Sequence, residues 1–224
     1  MLDPPAELDL DRLASLLQTE FAISARDLAF LPLGADEGTA AFHADGHDGA
    51  AWFVKLRRDP FDPLSLMVPA FLAHQGIAAV LPPRRTATGA LYTRFSGFTV
   101  AVSPYLSCSD AYHVAMGPHH WESLGRALRQ IHSAALPGAL HQQLQRDVVC
   151  PAWRQQLREQ LQPPLLRAAH DPVESRLNAF LEEKRDDVLR LIARTEELAA
   201  TVSQRRAVAT LCHTDLHAGN LVVD

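Results

Sequence analysis

The sequence is poor in cysteine and has no regular cysteine spacing. Its three cysteines, Cys108, Cys150 and Cys212, are scattered and odd in number, which argues against a disulfide framework and a cysteine-based zinc site. Isolated cysteines of this kind are typical of proteins from reducing compartments. The composition therefore predicts reduced, mostly buried thiols and a cytoplasmic location.

Long apolar runs and basic clusters are also missing. The longest mostly apolar run, 77–81, is far too short to span a bilayer, and the N-terminal residues are neither basic nor apolar, which speaks against a signal peptide. A net charge of −5 without a Lys/Arg run speaks against a nucleic-acid partner. We therefore expect a globular protein, a monomer or weak dimer, that binds neither membranes nor nucleic acids.

The sequence does contain a distinctive polar motif, His213-Thr214-Asp215-Leu216-His217-Ala218-Gly219-Asn220. Apolar segments at 209–212 and 221–223 flank it, which predicts a strand, a loop and a second strand. The spacing H-x-D-x-x-x-x-N is typical of the catalytic loop of kinase-type phosphotransferases, in which the Asp receives the proton of a substrate hydroxyl and the Asn binds magnesium. The alternative is a polar hairpin that carries these residues by chance.

The N-terminal part predicts a helix followed by a five-stranded antiparallel sheet. The helix covers 8–20, and apolar runs predict strands at 28–31, 40–43, 51–56, 90–95 and 98–102. A further short strand is predicted for 77–81, before two prolines. A sheet of this kind with one intervening helix forms the smaller lobe of kinase-type folds, so we expect a nucleotide-binding lobe over 1–102.

Two features of this lobe predict contacts with phosphates. The loop after the first strand contains Gly34, Asp36 and Gly38, and backbone amides of such loops can lie over phosphates. Lys55 lies inside the third apolar strand, where kinase-type folds place the lysine that pairs with the nucleotide phosphates. An ordinary glycine turn and a snorkelling edge-strand lysine are the alternatives.

The segment after Lys55 departs from the kinase pattern. A helical glutamate usually pairs with that lysine, but residues 57–74 contain no glutamate. Asp62 is a candidate partner, yet Asp62-Pro63 also predicts a helix start, with Asp62 as the cap and Pro63 at the first helical position. Pro69 would kink that helix or start a shorter one. The partner of Lys55 stays open.

Residues 103–106 predict a hinge between two lobes. In kinase-type folds the hinge backbone hydrogen-bonds adenine, which makes Ser103 and Tyr105 candidate nucleotide-binding residues. Pro104 between them lacks an N–H group, so only neighbouring groups can donate. A plain proline-containing linker is the alternative.

The remainder, 107–224, predicts a partial helical lobe that ends after the catalytic loop. Periodic apolar residues predict helices at 119–135 and around 153–161. Asp171-Pro172-Val173-Glu174 is a strong helix start, and near-heptad apolar spacing predicts one long helix from there to about 203. Its seam contains the polar residues Lys184 and Thr195, so we expect packing within the lobe rather than a coiled coil.

Taken together, these segments resemble the aminoglycoside phosphotransferase family of the protein-kinase-like superfamily. The resemblance rests on the loop motif, on Gly34-Ala35-Asp36, on Phe53-Val54-Lys55-Leu56, on the helix 124–132 and on Pro151-Ala152-Trp153-Arg154. It implies an α+β, two-lobed fold and ATP- and magnesium-dependent phosphorylation of a hydroxyl of an aminoglycoside or aminocyclitol antibiotic of the spectinomycin kind. By the same resemblance Asp215 is the catalytic base, Asn220 a magnesium ligand, Lys55 a phosphate ligand and His213 the residue that orients the loop.

One departure from the family shapes the expectation for this chain. Family members carry a further magnesium-binding aspartate one hairpin after the asparagine, followed by helices that build much of the acceptor pocket. Asp224 directly follows the strand 221–223, so we interpret it as a turn residue. We therefore expect an incomplete C-terminal lobe that binds nucleotide weakly and turns over negligibly.

Two other functions remain open at this point. One is a metabolic small-molecule kinase that acts on a choline-like alcohol, an amino alcohol or a sugar. The other is a non-catalytic nucleotide-binding or interaction module that retained the fold.

Overall fold

The computed structural model describes residues 3–33, 38–144, 152–162, 171–204 and 210–223. Contacts divide the chain into two compact units, Met1–Gln143 with Thr210–Asp224, and Leu144–Ala209. The predicted site residues Gly34 and Asp36 and the cysteine Cys150 lie outside the described residues.

The first unit contains a helix, a sheet and the predicted catalytic segment. Its described elements are α1 (Leu10–Phe21), β1 (Ala25–Leu31), β2 (Thr39–Gly46), β3 (Ala51–Arg58), α2 (Leu64–His74), β4 (Thr93–Phe95), β5 (Phe98–Pro104), β6 (Ser109–Asp110), α3 (Pro118–His132), α4 (Gly138–Gln143), a 3-10 turn (Ala218–Asn220) and β7 (Val222–Val223). The second unit contains α5 (Ala152–Gln160), α6 (Pro172–Glu183) and α7 (Arg185–Ser203).

The main sheet has five antiparallel strands in the order β1-β2-β3-β5-β4. The prediction of a five-stranded antiparallel sheet is therefore confirmed. Its strands alternate apolar and polar residues, so one face is apolar and packs on α1. The buried core on this face contains Leu13, Leu17, Phe21, Ala40, Phe42, Ala44, Val54, Leu56, Phe98, Val100 and Val102.

Helix α1 begins where its sequence favours it, and its spacing fits the sheet. The Asp9 carboxylate accepts a hydrogen bond from the Arg12 N–H at 3.0 Å and caps the first turn. Leu13, Leu17 and Phe21 recur every four residues and are all buried, so they form the stripe that covers the sheet.

The prediction of a strand at 77–81 is wrong, because this segment forms a turn. The N–H of Val80 donates to the carbonyl of Ile77 at 3.1 Å, and the side chain of Ile77 is buried. Pro82 and Pro83 follow and cannot donate backbone hydrogen bonds, so the sequence offers little for an extending strand ladder.

The prediction of one long helix over 171–203 is also wrong. Helix α6 ends at Glu183 and α7 begins at Arg185, with Lys184 between them at φ −94° and ψ 4°. The start at Asp171 is as predicted, because its carboxylate accepts the Val173 N–H at 2.7 Å. The break coincides with the polar residue Lys184 in the apolar seam, where no apolar contact favours continuation.

The thiols differ from expectation as well. Cys108 and Cys212 are both exposed, so the prediction of mostly buried thiols is wrong for the two described cysteines. Each lies in a non-helical segment, where little packing is available. Among the described helices, none is both long and apolar enough to cross a membrane.

The core on the α1 side predicts a large effect of one substitution. Phe42 is fully buried and its ring contacts that of Phe30 edge-on at 5.4 Å between centroids. Phe42→Ala should lower the free energy of unfolding by about 3–5 kcal/mol, because it removes an aromatic side chain and leaves a cavity. Urea unfolding would measure this, with exposed Leu33→Ala as the control. Equal losses for the two variants would contradict the assigned core.

Candidate active site

The open face of the sheet, opposite α1, carries Lys55. Lys55 is half-buried and pairs across the sheet with Ala41 on β2 and Ala101 on β5. Directly opposite residues share a face, so two alanines flank the lysine and leave room for a ligand around its side chain.

A cavity of about 140 Å³ lies on this face and brings Lys55 and Ser103 together. Strands β3 and β5 form its floor and helix α2 forms one wall. The lining residues are Phe53, Lys55, Ser65, Leu66, Pro69, Leu81, Pro83, Ala101, Val102 and Ser103. The cavity is therefore mostly apolar with a cation on its lining, which suits a flat apolar group that bears an anion.

Helix α2 contributes apolar surface and no carboxylate. Its sequence between Leu64 and His74 contains no acidic residue. The helix begins at Leu64, one residue later than predicted, and it continues through Pro69. The N-cap position is Pro63 and not Asp62 as predicted. Asp62 lies one residue earlier and accepts the Leu64 N–H at 2.9 Å, and it is not assigned to Lys55.

The predicted hinge is partly a strand. Strand β5 extends through Pro104, and the N–H of Tyr105 donates to the carbonyl of Ala51 at 3.0 Å. The Tyr105 ring packs edge-on against His43 with 4.3 Å between the ring centroids. The amide of Tyr105 is therefore engaged in the sheet, and Ser103 is the predicted hinge residue that lines the cavity.

The catalytic-loop motif forms a compact hydrogen-bonded turn. The side-chain amide of Asn220 donates to the carbonyl oxygen of Asp215 at 2.8 Å and to its carboxylate Oδ2 at 3.2 Å. These bonds use the amide nitrogen of Asn220, so its amide oxygen is the atom left to ligate a metal. The structure thus brings the predicted base and the predicted metal ligand together.

His217 is a site residue that sequence reasoning missed. Its Nδ1 accepts the Gly219 N–H at 3.1 Å and caps the 3-10 turn. Its Nε2 lies 3.1 Å from Nδ2 of Asn220 and 3.9 Å from Oδ2 of Asp215. The signal was available in the sequence, because a polar residue two positions before a glycine suits a local cap.

His213 was predicted to orient the loop. Within the part of the chain that the structure describes, its exposed side chain makes no hydrogen bond, and that role stays a prediction. The next residue, Thr214, has φ +65°. This left-handed conformation is unusual for a β-branched residue, so the backbone is strained directly before Asp215. The predicted strand at 209–212 is not present over the described residues 210–212.

A second segment, residues 109–113, supports the loop from one side. Strand β6 pairs with β7, with Ser109 opposite Val223 and Asp110 opposite Val222. The N–H of Ala111 donates to the carbonyls of Ala218 and Leu221 at 3.1 and 3.0 Å. The turn of the catalytic loop is therefore joined directly to the segment that follows the hinge.

The segment 109–113 is itself fixed by Asp110. The carboxylate of Asp110 accepts the N–H groups of Tyr112 and His113 at 3.0 and 3.2 Å, and its Oδ1 lies 2.6 Å from Nδ1 of His113. The hydrogen bond from the His113 side chain, more than those from the backbone, holds the pKa of Asp110 below its ordinary value.

Tyr112 packs over the loop at Gly219. The Tyr112 and His217 rings have centroids 6.1 Å apart. A Cβ atom on Gly219 would lie 2.9 Å from Cε2 of Tyr112 and 3.0 Å from Cε1 of His217. A side chain at this position would therefore displace at least one of the two rings.

The donor set fits magnesium in part. The loop offers the amide oxygen of Asn220 and the carboxylate of Asp215, and magnesium prefers oxygen ligands, usually a few protein oxygens with waters and phosphates. Among the described residues, no group of three or more His, Cys, Asp or Glu is placed to hold a metal ion. The loop can therefore hold a metal that a bound nucleotide also ligates, and it does not form a complete site by itself.

The close approach at Gly219 gives a stability prediction with a matched control. Gly219→Ala should destabilise the chain, because the new methyl group meets two rings at less than normal contact distance. Gly125→Ala in α3 meets nothing within 4 Å and should stabilise by up to about 1 kcal/mol through helix propensity. Thermal unfolding of both variants would measure the difference, and a stabilised Gly219→Ala would contradict the assigned packing.

The Asp110 turn gives a prediction about pH. Since the folded-state pKa of Asp110 is lowered, its contribution to stability is present above the unfolded pKa of about 3.9 and is lost as the pH falls through the folded pKa. Asp110→Asn should lower the melting temperature at pH 7, and its difference from the parent should shrink below about pH 3.9. Asp27→Asn, on exposed β1 surface, is the control. A pH-independent difference would exclude the charge as the cause.

Comparisons with known proteins identify a family and similar folds. A model of the phosphotransferase enzyme family, APH, matches residues 29–224. No protein of curated function matches the sequence. Spectinomycin phosphotransferase APH(9)-Ia, crystallised in complex with ADP and spectinomycin, is 26% identical with a TM-score of 0.82; the match covers 96% of this chain and 65% of that one. The present chain therefore spans less than two thirds of that protein's length.

Two further solved structures share the fold at lower identity. Amicoumacin kinase hAmiN, in complex with AMP-PNP, Ca²⁺ and Ami, is 16% identical with a TM-score of 0.59, over 96% of this chain and 60% of that one. Macrolide 2'-phosphotransferase MphH from Brachybacterium faecium, an apoenzyme, is 18% identical with a TM-score of 0.54, over 96% and 68%. These similarities confirm the predicted α+β, kinase-like fold, and with the family model matching from residue 29 onward the chain belongs to the phosphotransferase enzyme family, APH.

Proposed function

We propose that the protein is an ATP-dependent phosphotransferase that phosphorylates a hydroxyl of an aminocyclitol or aminoglycoside antibiotic such as spectinomycin. The observation that carries the proposal is the contact between Asn220 and Asp215, which places an amide and a carboxylate within 3.2 Å in an exposed turn. The similarity to spectinomycin phosphotransferase, seen with ADP and spectinomycin, supports the choice of nucleotide and acceptor.

In this proposal Asp215 is the general base. Its side chain is 77% exposed, so an acceptor hydroxyl can reach it. The carboxylate takes the hydroxyl proton while the hydroxyl oxygen forms a bond to the terminal phosphorus of ATP. The bond from that phosphorus to the bridging oxygen breaks, and ADP leaves with the electron pair. His213 orients the loop, as the family resemblance implies.

The nucleotide is held by residues 1–102 and by the hinge at 103–106, while 107–224 carry the catalytic loop. The apolar walls of the 140 Å³ cavity receive the purine, with Ser103 at its edge, and Lys55 pairs with the phosphates. Tyr105 contributes through its position beside the cavity, since its N–H is engaged by Ala51. Gly34, Asp36 and Gly38 form the loop over the phosphates; of these, Gly38 is described, and its carbonyl accepts the Arg58 N–H at 2.8 Å.

Magnesium completes the proposed site. The amide oxygen of Asn220 would hold the ion, which leaves the Asp215 carboxylate to act as the base. When bound, the ion neutralises charge that develops on the phosphates during transfer. Because a single side-chain oxygen is a poor magnesium site by itself, we expect this 224-residue chain to bind magnesium–nucleotide weakly and to turn over negligibly.

The biological setting is part of the proposal. The partner is a small-molecule acceptor, and the exposed, unpaired cysteines suit a reducing cytoplasm. We propose a monomer or weak dimer with no nucleic-acid or membrane partner.

The decisive assay is ATP-dependent phosphorylation of spectinomycin, with other aminocyclitols and choline in parallel. It should use this chain and any longer product of the same gene. Asp215→Asn should lower the rate by about 10²- to 10⁴-fold, because it removes the general base, while binding of Mg–AMP-PNP measured by calorimetry should persist. Asp27→Asn is the control, because it removes an exposed carboxylate that is far from Asp215 in the sequence.

The outcomes separate the alternatives. Phosphorylation of spectinomycin that depends on Asp215 supports the proposal, and transfer to choline alone would move the assignment to a metabolic kinase. Nucleotide binding without transfer to any acceptor, in every form of the protein, would contradict the enzymatic role.

A further inference from the structure

The open face of β3 and β5 carries a line of side chains that leads away from the 140 Å³ cavity. The register places Phe53 opposite Ser103, Lys55 opposite Ala101, and Arg57 opposite Thr99. Residues two apart on a strand share a face, and directly opposite residues do so as well. Phe53, Lys55 and Arg57 therefore follow one another on the same face over about 13 Å of strand at 3.3 Å per residue.

Arg57 lies at the end of this line and also lines a second cavity. That cavity, of about 440 Å³, is lined by Gly38, Arg57, Arg58, Asp59 and Pro60. Arg57 is half-buried, and its guanidinium makes no hydrogen bond or ion pair with any residue that the structure describes. It is thus a cation that faces a cavity next to the last residue of the glycine-containing loop.

The neighbouring arginines at this end of the sheet are engaged. Arg58 forms an ion pair with Glu7 and lies over the Phe98 ring with its Cζ 4.4 Å from the centroid. Arg94 donates to the Asp59 carboxylate at 2.9 Å. Carboxylates therefore neutralise these two arginines. Arg94 lies opposite Thr99 and so shares the face of Lys55 and Arg57, which leaves Arg57 as the arginine of this face without a carboxylate partner among the described residues.

A hydroxyl next to Arg57 is also unsatisfied. Thr99, directly opposite Arg57, is 1% exposed, and its Oγ1 has no hydrogen-bond partner among the described residues. Buried hydroxyls normally have a partner. A second polar group in need of a partner therefore lies on the residue directly opposite Arg57.

We propose that Arg57 binds the terminal phosphate of the nucleotide, with Lys55 on the inner phosphates. The inference rests on the proposed function and adds a phosphate-binding residue to it. The order Ser103, Lys55, Arg57 along the strands matches the order base, inner phosphates, terminal phosphate. A guanidinium suits this position, because its planar fork donates two parallel hydrogen bonds to phosphate oxygens. Two cations on one face also favour a polyphosphate over a single phosphate.

The test measures, by calorimetry on the full chain, the binding of a series of ligands: AMP, Mg–ADP, Mg–AMP-PNP and inorganic tripolyphosphate. Arg57→Gln should weaken the binding of AMP-PNP and of tripolyphosphate by about 10- to 100-fold, which is the range for a hydrogen bond to a charged group. The affinity for ADP should fall less, and the affinity for AMP should not change. Arg57→Lys should recover part of the loss, because it keeps the charge without the fork. Arg26→Gln, an exposed arginine on β1, controls for net charge.

Each outcome is decisive. An equal loss for AMP and AMP-PNP, or a loss in Arg26→Gln as large as in Arg57→Gln, would overturn the assignment. Parent protein that binds no nucleotide but binds tripolyphosphate through Arg57 would support the phosphate site and contradict the proposed function. Parent protein that binds neither ligand would overturn both. Melting temperatures within a few degrees of the parent would show that the variants fold.

Discussion

The alternation of side chains along β3 fixes most of what the first unit can do. Val54 and Leu56 are fully buried in the core under α1, so Lys55 and Arg57 must lie on the other face. A shift of the strand by one residue would place both cations in the core and both apolar side chains in solvent. The hydrophobic effect therefore specifies the position of the candidate phosphate ligands, although these residues contribute little to stability themselves.

The catalytic loop is held by a different kind of interaction. Its functional side chains are largely exposed, with Asp215 at 77% and His217 at 46%, so burial cannot position them. Short local hydrogen bonds do this instead: the cap from His217, the amide bonds from Asn220 and the backbone bonds from Ala111. Each such bond contributes only about 0.5–1.5 kcal/mol, and the geometry depends on several acting together.

The sequence predicted secondary structure correctly where a regular residue pattern corresponds to a regular element. The alternating strands and the capped start of α6 have short-range signals, and these predictions agree with the described structure. The motif from His213 to Asn220 forms a hydrogen-bonded turn, while the roles of its residues stay predictions. The failures have two kinds of cause. The strand predicted at 77–81 neglected the two prolines that follow it, and the single helix predicted through Lys184 neglected a polar residue in the apolar seam. The engagement of the Tyr105 amide is non-local, because its partner Ala51 lies more than fifty residues away.

The ladder between β6 and β7 is only two residues long on each side, whereas the main sheet has strands of up to eight residues. Local opening of a native protein requires only the contacts of the segment that opens. The catalytic loop therefore belongs to a weaker cooperative unit than the sheet that carries Lys55. We therefore expect amide hydrogens of the loop to exchange with solvent through small fluctuations, and those of β3 to exchange only when the core unfolds. The candidate base and the candidate phosphate ligands thus lie on parts of the molecule that differ in how far their local structure depends on the core.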